Sequence, residues 1–147
     1  MSDILRRKYE AVDKYVQKLK RKLDLKLVIL FGSLAKGSWT ESSDIDLLIV
    51  AEGLSDDPRE NFIRLKQPRI DPHGFSVNGF FRELEKPNLI IFDALEYGEK
   101  ILMDEEFLKK VEEKFKEVKK RLGLKWVDGT WTWRVEERAK TLKSKEG

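Results

Sequence analysis

The chain has 147 residues, of which 40 % are hydrophobic and 39 % are charged, and the two signs of charge nearly cancel to a net +3. Eight Phe, four Trp and three Tyr, together with the balanced charge, favour one folded domain over a disordered chain. The absence of cysteine excludes disulfides, thiolate zinc sites and cysteine nucleophiles. The single histidine, His73, excludes a multi-histidine metal site within one chain.

No apolar run approaches the roughly 20 residues that a membrane helix requires. The N-terminus also lacks the apolar core and cleavage site of a signal peptide, so we expect a cytoplasmic protein with no membrane partner. Abundant Lys and Glu, with few Asn and Gln, form a pattern reported for hyperthermophile proteins. We therefore expect a thermophilic source.

Apolar spacing in the first third of the chain changes from a helical period to continuous runs, which predicts a helix followed by strands. The last part of the second run is apolar on both faces, as in a central strand that is covered on both sides. The predicted elements are, in order, a helix to about Leu23 capped by Ser2 or Asp3, a strand over 25–31, a tight turn or one helical turn over 33–37, a polar loop over 39–43 and a strand over 44–50.

The rest of the chain alternates helical patterns with short strands and ends in a hairpin signal at an Asp-Gly pair. Its predicted elements are a helix over 55–67, a short strand over 69–71, a turn over 72–74, helices over 76–85 and 88–97, a strand over 100–103, a helix over 104–122 and a hairpin over 124–133. This order predicts an α/β (α+β) domain with a small mixed sheet flanked by helices. We divide the chain into a domain over 1–123 and a Trp-rich basic extension over 124–147.

Two aspartates stand at the start of the second predicted strand. Asp44 and Asp46 are two positions apart, so their carboxylates point to the same face. Their repulsion is relieved if one is protonated or if a cation lies between them. Mg²⁺ prefers one or two carboxylates together with substrate phosphates.

A glycine-serine pair follows the first predicted strand. Glycine at Gly32 lets the backbone approach a ligand closely, and successive N–H groups at a turn form an anion pocket. Ser33 adds a hydroxyl donor, and Lys36 is near enough to screen phosphate charge. Gly-Ser alone is a common turn and Asp-x-Asp alone is often a solvated strand edge. Here a single loop connects the Gly-Ser turn to the Asp-x-Asp pair, and this combination predicts phosphoryl or nucleotidyl transfer.

The motif resembles the signature of a known superfamily. Gly32-Ser33, ten residues and then Asp44-Ile-Asp46 are similar to the signature of the nucleotidyltransferases that include DNA polymerase β. The fuller string from Gly32 through Gly37 and Ser43 to Val50, in so short a chain, resembles the minimal nucleotidyltransferases. The motif covers about 20 residues, and the order of elements extends the similarity over 4–122.

The resemblance implies a mechanism and a set of site residues. In that family three carboxylates hold two Mg²⁺ ions, with Mn²⁺ as an alternative, and an acceptor hydroxyl attacks the α-phosphorus of ATP or another NTP while pyrophosphate leaves. The resemblance then implies that the motif's aspartates bind metal and that its other polar and glycine positions bind the nucleotide. The metal ligands would be Asp44 and Asp46, and the nucleotide-binding residues Gly32, Ser33, Lys36, Gly37 and Ser43.

The third carboxylate of the family lies on the following strand. Asp71 is the best match and would be the third metal ligand, catalytic together with Asp44 and Asp46. Because Pro68 and Pro72 flank it, the alternative is that Asp71 is a turn residue. Asp93 and Glu96 are weaker candidates, because they fall in a helical pattern. If no third acid reaches the site, the protein would transfer weakly or only bind nucleotide.

Several other residues have two interpretations. His73 is interpreted as a structural turn residue rather than a ligand for base or acceptor. The stripe of Phe75, Phe80, Phe81 and Leu84 is interpreted as core, with a nucleotide pocket as the alternative. The tryptophans of the tail favour packing or a protein interface over nucleic-acid stacking; they are Trp126, Trp131 and Trp133.

The sequence therefore predicts a nucleotidyltransferase that moves an NMP, AMP from ATP in the first instance, to a hydroxyl group. The resemblance implies an antitoxin-type protein whose partner is a small helical HEPN-type toxin with an acceptor tyrosine. The first alternative is a weakly active or inactive module that binds nucleotide and masks a partner. The second is an RNA-directed transferase, which a net charge of +3 on a mixed-sign surface does not favour. The sequence is also compatible with a homo-oligomer.

Overall fold

A computed structural model describes residues 2–133. Its elements follow the predicted order closely, from an N-terminal helix to a C-terminal hairpin. The helices are α1 (Asp3–Lys20), α2 (Gly32–Lys36), α3 (Pro58–Leu65), α4 (Val77–Leu84), α5 (Leu89–Tyr97) and α6 (Glu105–Leu122). The strands are β1 (Asp24–Phe31), β2 (Ile45–Glu52), β3 (Ile70–Phe75), β4 (Glu99–Met103), β5 (Leu124–Val127) and β6 (Thr130–Trp133).

The first four strands form one mixed sheet in the order β3-β2-β1-β4. β1 is antiparallel to both β2 and β4, whereas β2 and β3 are parallel. Residues 47–51 of β2 have no exposed surface, as expected for a central strand that is covered on both faces. The predicted α/β class with a small mixed sheet is confirmed.

Two apolar cores lie on opposite faces of the sheet. One core contains buried side chains of α1, α2 and α3, and the other contains those of α4, α5 and α6. Because neighbouring strand residues point to opposite faces, Leu48 and Val50 of β2 face the α4–α6 layer, while Leu47 and Ile49 face the α1 layer. Asp46 shares its face with Leu48 and Val50.

Side chains cap the helices where the sequence predicts it. Ser2 accepts a hydrogen bond from the Leu5 N–H at 3.1 Å, and Asp104 accepts one from the Phe107 N–H at 2.9 Å. Ser76 accepts in the same way from the Gly79 N–H at 2.9 Å. Each cap satisfies a backbone donor that the first helical turn leaves free.

The third strand is longer than predicted. Pro72, His73 and Gly74 were expected to form a turn, but β3 continues through them and pairs with residues 47–49 of β2. β3 is the edge strand of the sheet, and an edge strand tolerates the missing N–H of proline. The Asn61 side chain of α3 also donates to the Gly74 carbonyl at 3.0 Å. The turn prediction for 72–74 is therefore wrong.

Several element ends also differ from the predictions: α1 ends at Lys20 rather than about Leu23, and α3 begins at Pro58 rather than at residue 55. α3 stops at Leu65, because Lys66 has the extended ψ of 132° that leads the chain into β3. Asp44, predicted as the first residue of the second strand, precedes β2. Within residues 2–133, no helix is long and apolar enough to cross a membrane.

The predicted hairpin is present. β5 and β6 pair around Asp128 and Gly129, which have φ of 49° and 80°, the values that a tight two-residue hairpin requires. Trp131 packs against Phe92 and Phe115 with ring centroids 5.8 and 6.3 Å away. The hairpin is thus joined to the α5–α6 layer. The part of the predicted Trp-rich basic extension that follows residue 133 lies outside the described residues.

Candidate active site

Asp46 lies in the centre of three strands. On one side it is the register partner of Phe31, the last residue of β1, and on the other it is the partner of Asp71 in β3. Its side chain retains 30 % of its exposure. The adjacent Ile45 is almost fully buried and anchors the start of the strand. A partly exposed carboxylate is therefore fixed at the end of a buried strand.

Asp71 lies beside Asp46. The two residues are register partners in neighbouring parallel strands, which are about 4.8 Å apart in any sheet. Lys66 Nζ is 3.0 Å from Asp71 Oδ1 and also donates to the Ile70 carbonyl at 2.7 Å. Both carboxylates keep about a third of their exposure. Two acidic groups thus face solvent from one end of the sheet, and one lysine offsets part of their charge.

Gly32 packs directly on the Asp46 carboxylate. It has a φ of +73°, and a Cβ built on it would overlap Asp46 Oδ2 and lie 3.0 Å from Cγ. Any other residue would therefore be both strained and displaced by the carboxylate. Ser33 follows in the first turn of α2, and its carbonyl accepts from the N–H groups of Gly37 and Ser38. The two halves of the motif are in contact.

A hydrogen-bonded loop leads into β2 and carries Asp44, which is exposed. The Ser43 hydroxyl accepts from the Thr40 N–H at 2.8 Å. From α1, the buried Lys8 donates its ammonium group to the Ser43 carbonyl at 2.7 Å and to that of Glu41 at 3.4 Å. In this structure Ser43 orders the loop in front of Asp44.

Lys36 lies over aromatic rings. Its Nζ is 4.6 Å from the Tyr97 ring centroid and 5.9 Å from that of Trp126. The two rings are stacked with centroids 5.3 Å apart. The Tyr97 hydroxyl oxygen accepts from the Gly32 N–H at 3.4 Å. The hairpin and α5 therefore reach the glycine-serine turn.

His73 joins the site rather than a turn. Its Nε2 is 3.9 Å from Asp46 Oδ1, and its ring packs on Phe31 with centroids 5.4 Å apart. The imidazole keeps 26 % of its exposure. The extension of β3 brings it there, because residues 71, 73 and 75 share one face of the strand.

The other two candidates for the third carboxylate, Asp93 and Glu96, bind side chains outside the site. Asp93 accepts from Trp131 Nε1 at 2.7 Å, and Glu96 pairs with Lys119 Nζ at 3.0 Å. Of the three acids that the sequence offers as a third carboxylate, the structure brings Asp71 next to Asp46. The apolar stripe packs in the α4–α6 core; its members are Phe75, Phe80, Phe81 and Leu84.

The donor set fits a hard divalent cation. Asp46 and Asp71 offer carboxylate oxygens side by side, and Asp44 precedes Asp46 by two positions on the entering loop. Within residues 2–133, no three His, Asp or Glu side chains already surround a common point. Mg²⁺ commonly takes only one or two protein carboxylates and completes its octahedron with water and phosphate. The paired aspartates meet that requirement.

Sequence reasoning did not place four residues at this site, although it weighed His73 as an alternative ligand for base or acceptor and Trp126 as an alternative base-stacking residue. Lys66, His73, Tyr97 and Trp126 each arrive through tertiary contacts, from α3, an extended β3, α5 and the hairpin. Their sequence neighbourhoods carry no motif. The one available signal was the position of Lys66 a few residues before Asp71, which permits an ion pair once both lie at the same sheet edge.

Comparison with known proteins identifies a family. Residues 12–126 match the family described as "Nucleotidyltransferase domain". The chain is 33 % identical over 138 residues to "Putative protein adenylyltransferase MJ1305" of Methanocaldococcus jannaschii, an alignment that covers 84 % of this chain and 91 % of that protein. A second protein of that organism, "Putative protein adenylyltransferase MJ0604", is 49 % identical over 45 residues, which cover 29 % of this chain and 45 % of that protein.

Two solved structures share the fold at a TM-score of 0.50 and 19 % identity. One is described as "a putative nucleotidyltransferase from Sulfolobus solfataricus", and the similarity covers 70 % of this chain and 86 % of that one. The other is a "toxin-antitoxin with AMP-PNP", with 74 % and 90 % covered. The family match spans most of the chain and includes both halves of the motif. The chain therefore belongs to the nucleotidyltransferase domain family, as its resemblance to the minimal nucleotidyltransferases implies.

Proposed function

We propose that this protein transfers AMP from ATP to a hydroxyl group of a protein, in a reaction that depends on Mg²⁺. The proposal goes beyond family membership in three respects, which are the nucleotide, the acceptor and the metal. Its site residues are Asp44, Asp46 and Asp71 as metal ligands, with Gly32 and Ser33 at the phosphates.

The pairing of Asp46 with Asp71 carries the proposal. Two carboxylates in register on adjacent strands are unfavourable by themselves, because like charges at this spacing repel. A fold that keeps both partly exposed gains if a cation binds between them. The Gly32 backbone touches one of these carboxylates, so phosphates held at the turn would lie beside the same cation.

The chain's own groups would orient the two reactants. The turn at Gly32 leaves no side chain between the backbone and the phosphates, and Lys36 supplies positive charge near them. The acceptor oxygen forms a bond to the α-phosphorus, the bond to the pyrophosphate oxygen breaks, and the hydroxyl proton passes to a carboxylate of the site. Positioning and charge stabilisation account for most of the catalysis in such transfers.

Asp46 and Asp71, with Asp44 from the loop, would hold Mg²⁺ or Mn²⁺. When bound, the cation supplies neutralisation of the phosphate charge and a template for the in-line geometry. Lys66 would have to share Asp71 with the cation, since its ammonium group lies 3.0 Å from Asp71 Oδ1.

The acceptor proposal rests on the relatives. The protein that matches across 91 % of its length is named a protein adenylyltransferase, which supports ATP as donor and a protein as acceptor. The fold neighbour described as a toxin-antitoxin complex with AMP-PNP motivates the choice of partner. We propose a tyrosine hydroxyl of a small helical HEPN-type toxin as the acceptor.

A second candidate is a module that binds nucleotide and a partner without transfer. The observation that favours it is the Lys66–Asp71 ion pair at 3.0 Å, which occupies the third carboxylate. Transfer of label separates the two candidates, because both predict Mg²⁺-dependent ATP binding.

The experiment uses ATP labelled at the α-phosphate, with the full chain and a small helical HEPN-type protein offered as the acceptor. We expect Mg²⁺-dependent label on the partner, none with EDTA and none with Asp46→Asn. A matched control is Asp13→Asn, an exposed aspartate of α1 outside the site, which should label normally. Binding of ATP without label on any protein would support the binding module. No binding would contradict both.

A further inference from the structure

Lys36 has an unusual environment for an exposed lysine near an acidic site. No carboxylate of residues 2–133 forms an ion pair with it. Its ammonium group instead lies over the Tyr97 ring at 4.6 Å and near the Trp126 ring at 5.9 Å. The electron-rich faces of both rings attract a cation at such distances. Among the residues that the structure describes, the partners of the Lys36 ammonium group are thus these two rings.

The rings are fixed from behind. Trp126 meets Trp131 edge to face with centroids 5.1 Å apart. Trp131 donates its indole N–H to Asp93 at 2.7 Å and packs on Phe92 of α5. The hairpin therefore holds Trp126 against Tyr97, and the stack has little freedom to move away from Lys36.

The same tyrosine also contacts the glycine turn. Its hydroxyl oxygen accepts from the Gly32 N–H at 3.4 Å, and Gly32 packs on Asp46. Tyr97 thus touches both the first residue of α2 and the lysine that ends it. The aromatic stack and the Asp46 carboxylate lie on either side of one short turn.

We propose that Tyr97 and Trp126 are positioning residues for ATP, which hold the Lys36 side chain beside the glycine turn while its ammonium group, with three N–H donors, binds a phosphate oxygen. The inference rests on the proposed function, since it requires ATP to bind at this turn. A charged phosphate oxygen is a stronger partner for an ammonium group than an aromatic face. The rings therefore preorganise the lysine without competing with the substrate.

This role makes the hairpin part of the nucleotide site. Without the stack, Lys36 would extend into water and lose side-chain freedom each time ATP binds. Preorganisation removes that cost from the binding free energy. The effect should appear in the affinity for ATP and in KM, while kcat stays within about twofold.

The first test measures ATP affinity by calorimetry with Mg²⁺, and KM and kcat by transfer. We expect Trp126→Ala to weaken ATP binding about two- to fivefold, the range of an exposed cation–π contact. Trp126→Phe, which keeps an aromatic ring, should recover most of the affinity. Val127→Ala alters the next, exposed residue of the same hairpin and should leave the Kd unchanged.

The second test follows tryptophan fluorescence during an ATP titration, which needs no acceptor. A phosphate that binds the Lys36 ammonium group beside the ring should change the Trp126 emission in the wild type. The change should be absent from Trp126→Phe and from Lys36→Met. Circular dichroism of each variant verifies that the fold is retained.

The outcomes separate this inference from the proposed function. If the wild type does not bind ATP, the proposed function fails. If the wild type binds ATP and folded Trp126→Ala binds it equally well, the positioning role is overturned and the proposed function stands. An ATP-linked fluorescence change that persists in Lys36→Met would also overturn it.

Discussion

The Cβ position of Gly32 falls on the carboxylate of Asp46, so these two residues touch through a glycine backbone and a charged side chain. This contact explains why the two halves of the motif occur together. The turn after β1 and the start of β2 meet because the strands are antiparallel neighbours, with Phe31 paired to Asp46. The spacing between Gly-Ser and Asp-x-Asp is the length of loop that closes this contact.

Gly32→Ala should therefore lower activity as well as strain the backbone. The left-handed φ of +73° costs a non-glycine residue about 1–2 kcal/mol, and the added Cβ must also displace Asp46. A shift of about 1 Å at a reacting group can lower a rate about 100-fold, so we expect a loss of that order in label transfer.

Gly37→Ala is the matched control for this prediction. Gly37 has a similar φ of +80°, but a Cβ there meets nothing within 4 Å. Both variants should lose stability in urea unfolding because of the strained backbone, whereas Gly32→Ala should lose far more activity, since only its Cβ reaches Asp46. Equal activity losses would mean that the Asp46 contact is irrelevant.

Asp71→Asn tests the third carboxylate. The amide keeps the shape but removes the charge, so we expect transfer to fall about 100-fold or more, given the several kcal/mol that a bound cation supplies. Asp93→Asn should retain activity, since an asparagine oxygen can still accept from Trp131. Rates from single-turnover labelling compare the two. Full activity in Asp71→Asn would mean that Asp71 has a structural role and is not a metal ligand.

Lys8→Met tests how the loop before Asp44 is held. Lys8 is 8 % exposed and donates to the carbonyls of Ser43 and Glu41. Its loss removes the charged donor of two part-buried hydrogen bonds, so we expect unfolding to become easier by about 1–3 kcal/mol and transfer to slow. Lys14→Met, an exposed substitution on the same helix, should change stability by less than about 0.5 kcal/mol. Urea midpoints of the two variants that coincide would argue against the role of Lys8.

Tyr15 predicts how stability depends on alkaline pH. Burial raises the pKa of the Tyr15 phenol to about 12, while an unfolded tyrosine ionises near pH 10. The folded state therefore favours the neutral phenol. Its contribution, at most about 3 kcal/mol, is complete below pH 10 and is lost as the pH rises from 10 to 12.

In Tyr15→Phe, the stability of the folded state should fall less steeply between pH 10 and 12. The variant also removes the hydrogen bond to the Leu65 carbonyl at 2.9 Å, so it should be less stable at pH 8 by about 1–3 kcal/mol. Part of the alkaline slope should remain, because burial and Glu99 raise the pKa of Tyr9 to about 12 as well. Urea unfolding at pH 8 to 11.5 measures both effects. An unchanged slope would mean that Tyr15 does not titrate with unfolding.

Local patterns predicted the helices and the first two strands because caps, apolar spacing and glycine stops act over a few residues. Ser2, Ser76 and Asp104 cap the helices that they were expected to cap. The string Pro72-His73-Gly74 misled the same reasoning. Its residues favour a turn locally, but pairing with β2 and packing of α3 extend the strand through them.

The site was predictable only where it lies in one stretch of sequence. Gly32, Ser33 and Asp46 belong to a single loop and its flanking strands. Asp71 could be named as a candidate, but its position opposite Asp46 depends on a parallel register that no local signal sets. Trp126 reaches Lys36 only through the hairpin and α5, contacts that form when the chain folds.

The central claim is that Asp46 and Asp71 jointly form the metal and nucleotide site. The most direct measurement is a crystal structure with Mn²⁺ and a non-hydrolysable ATP analogue, with the ion located by its anomalous signal. The account predicts an anomalous peak that both carboxylates ligate, with the phosphates beside Gly32. A peak elsewhere, or an analogue bound away from this turn, would contradict it.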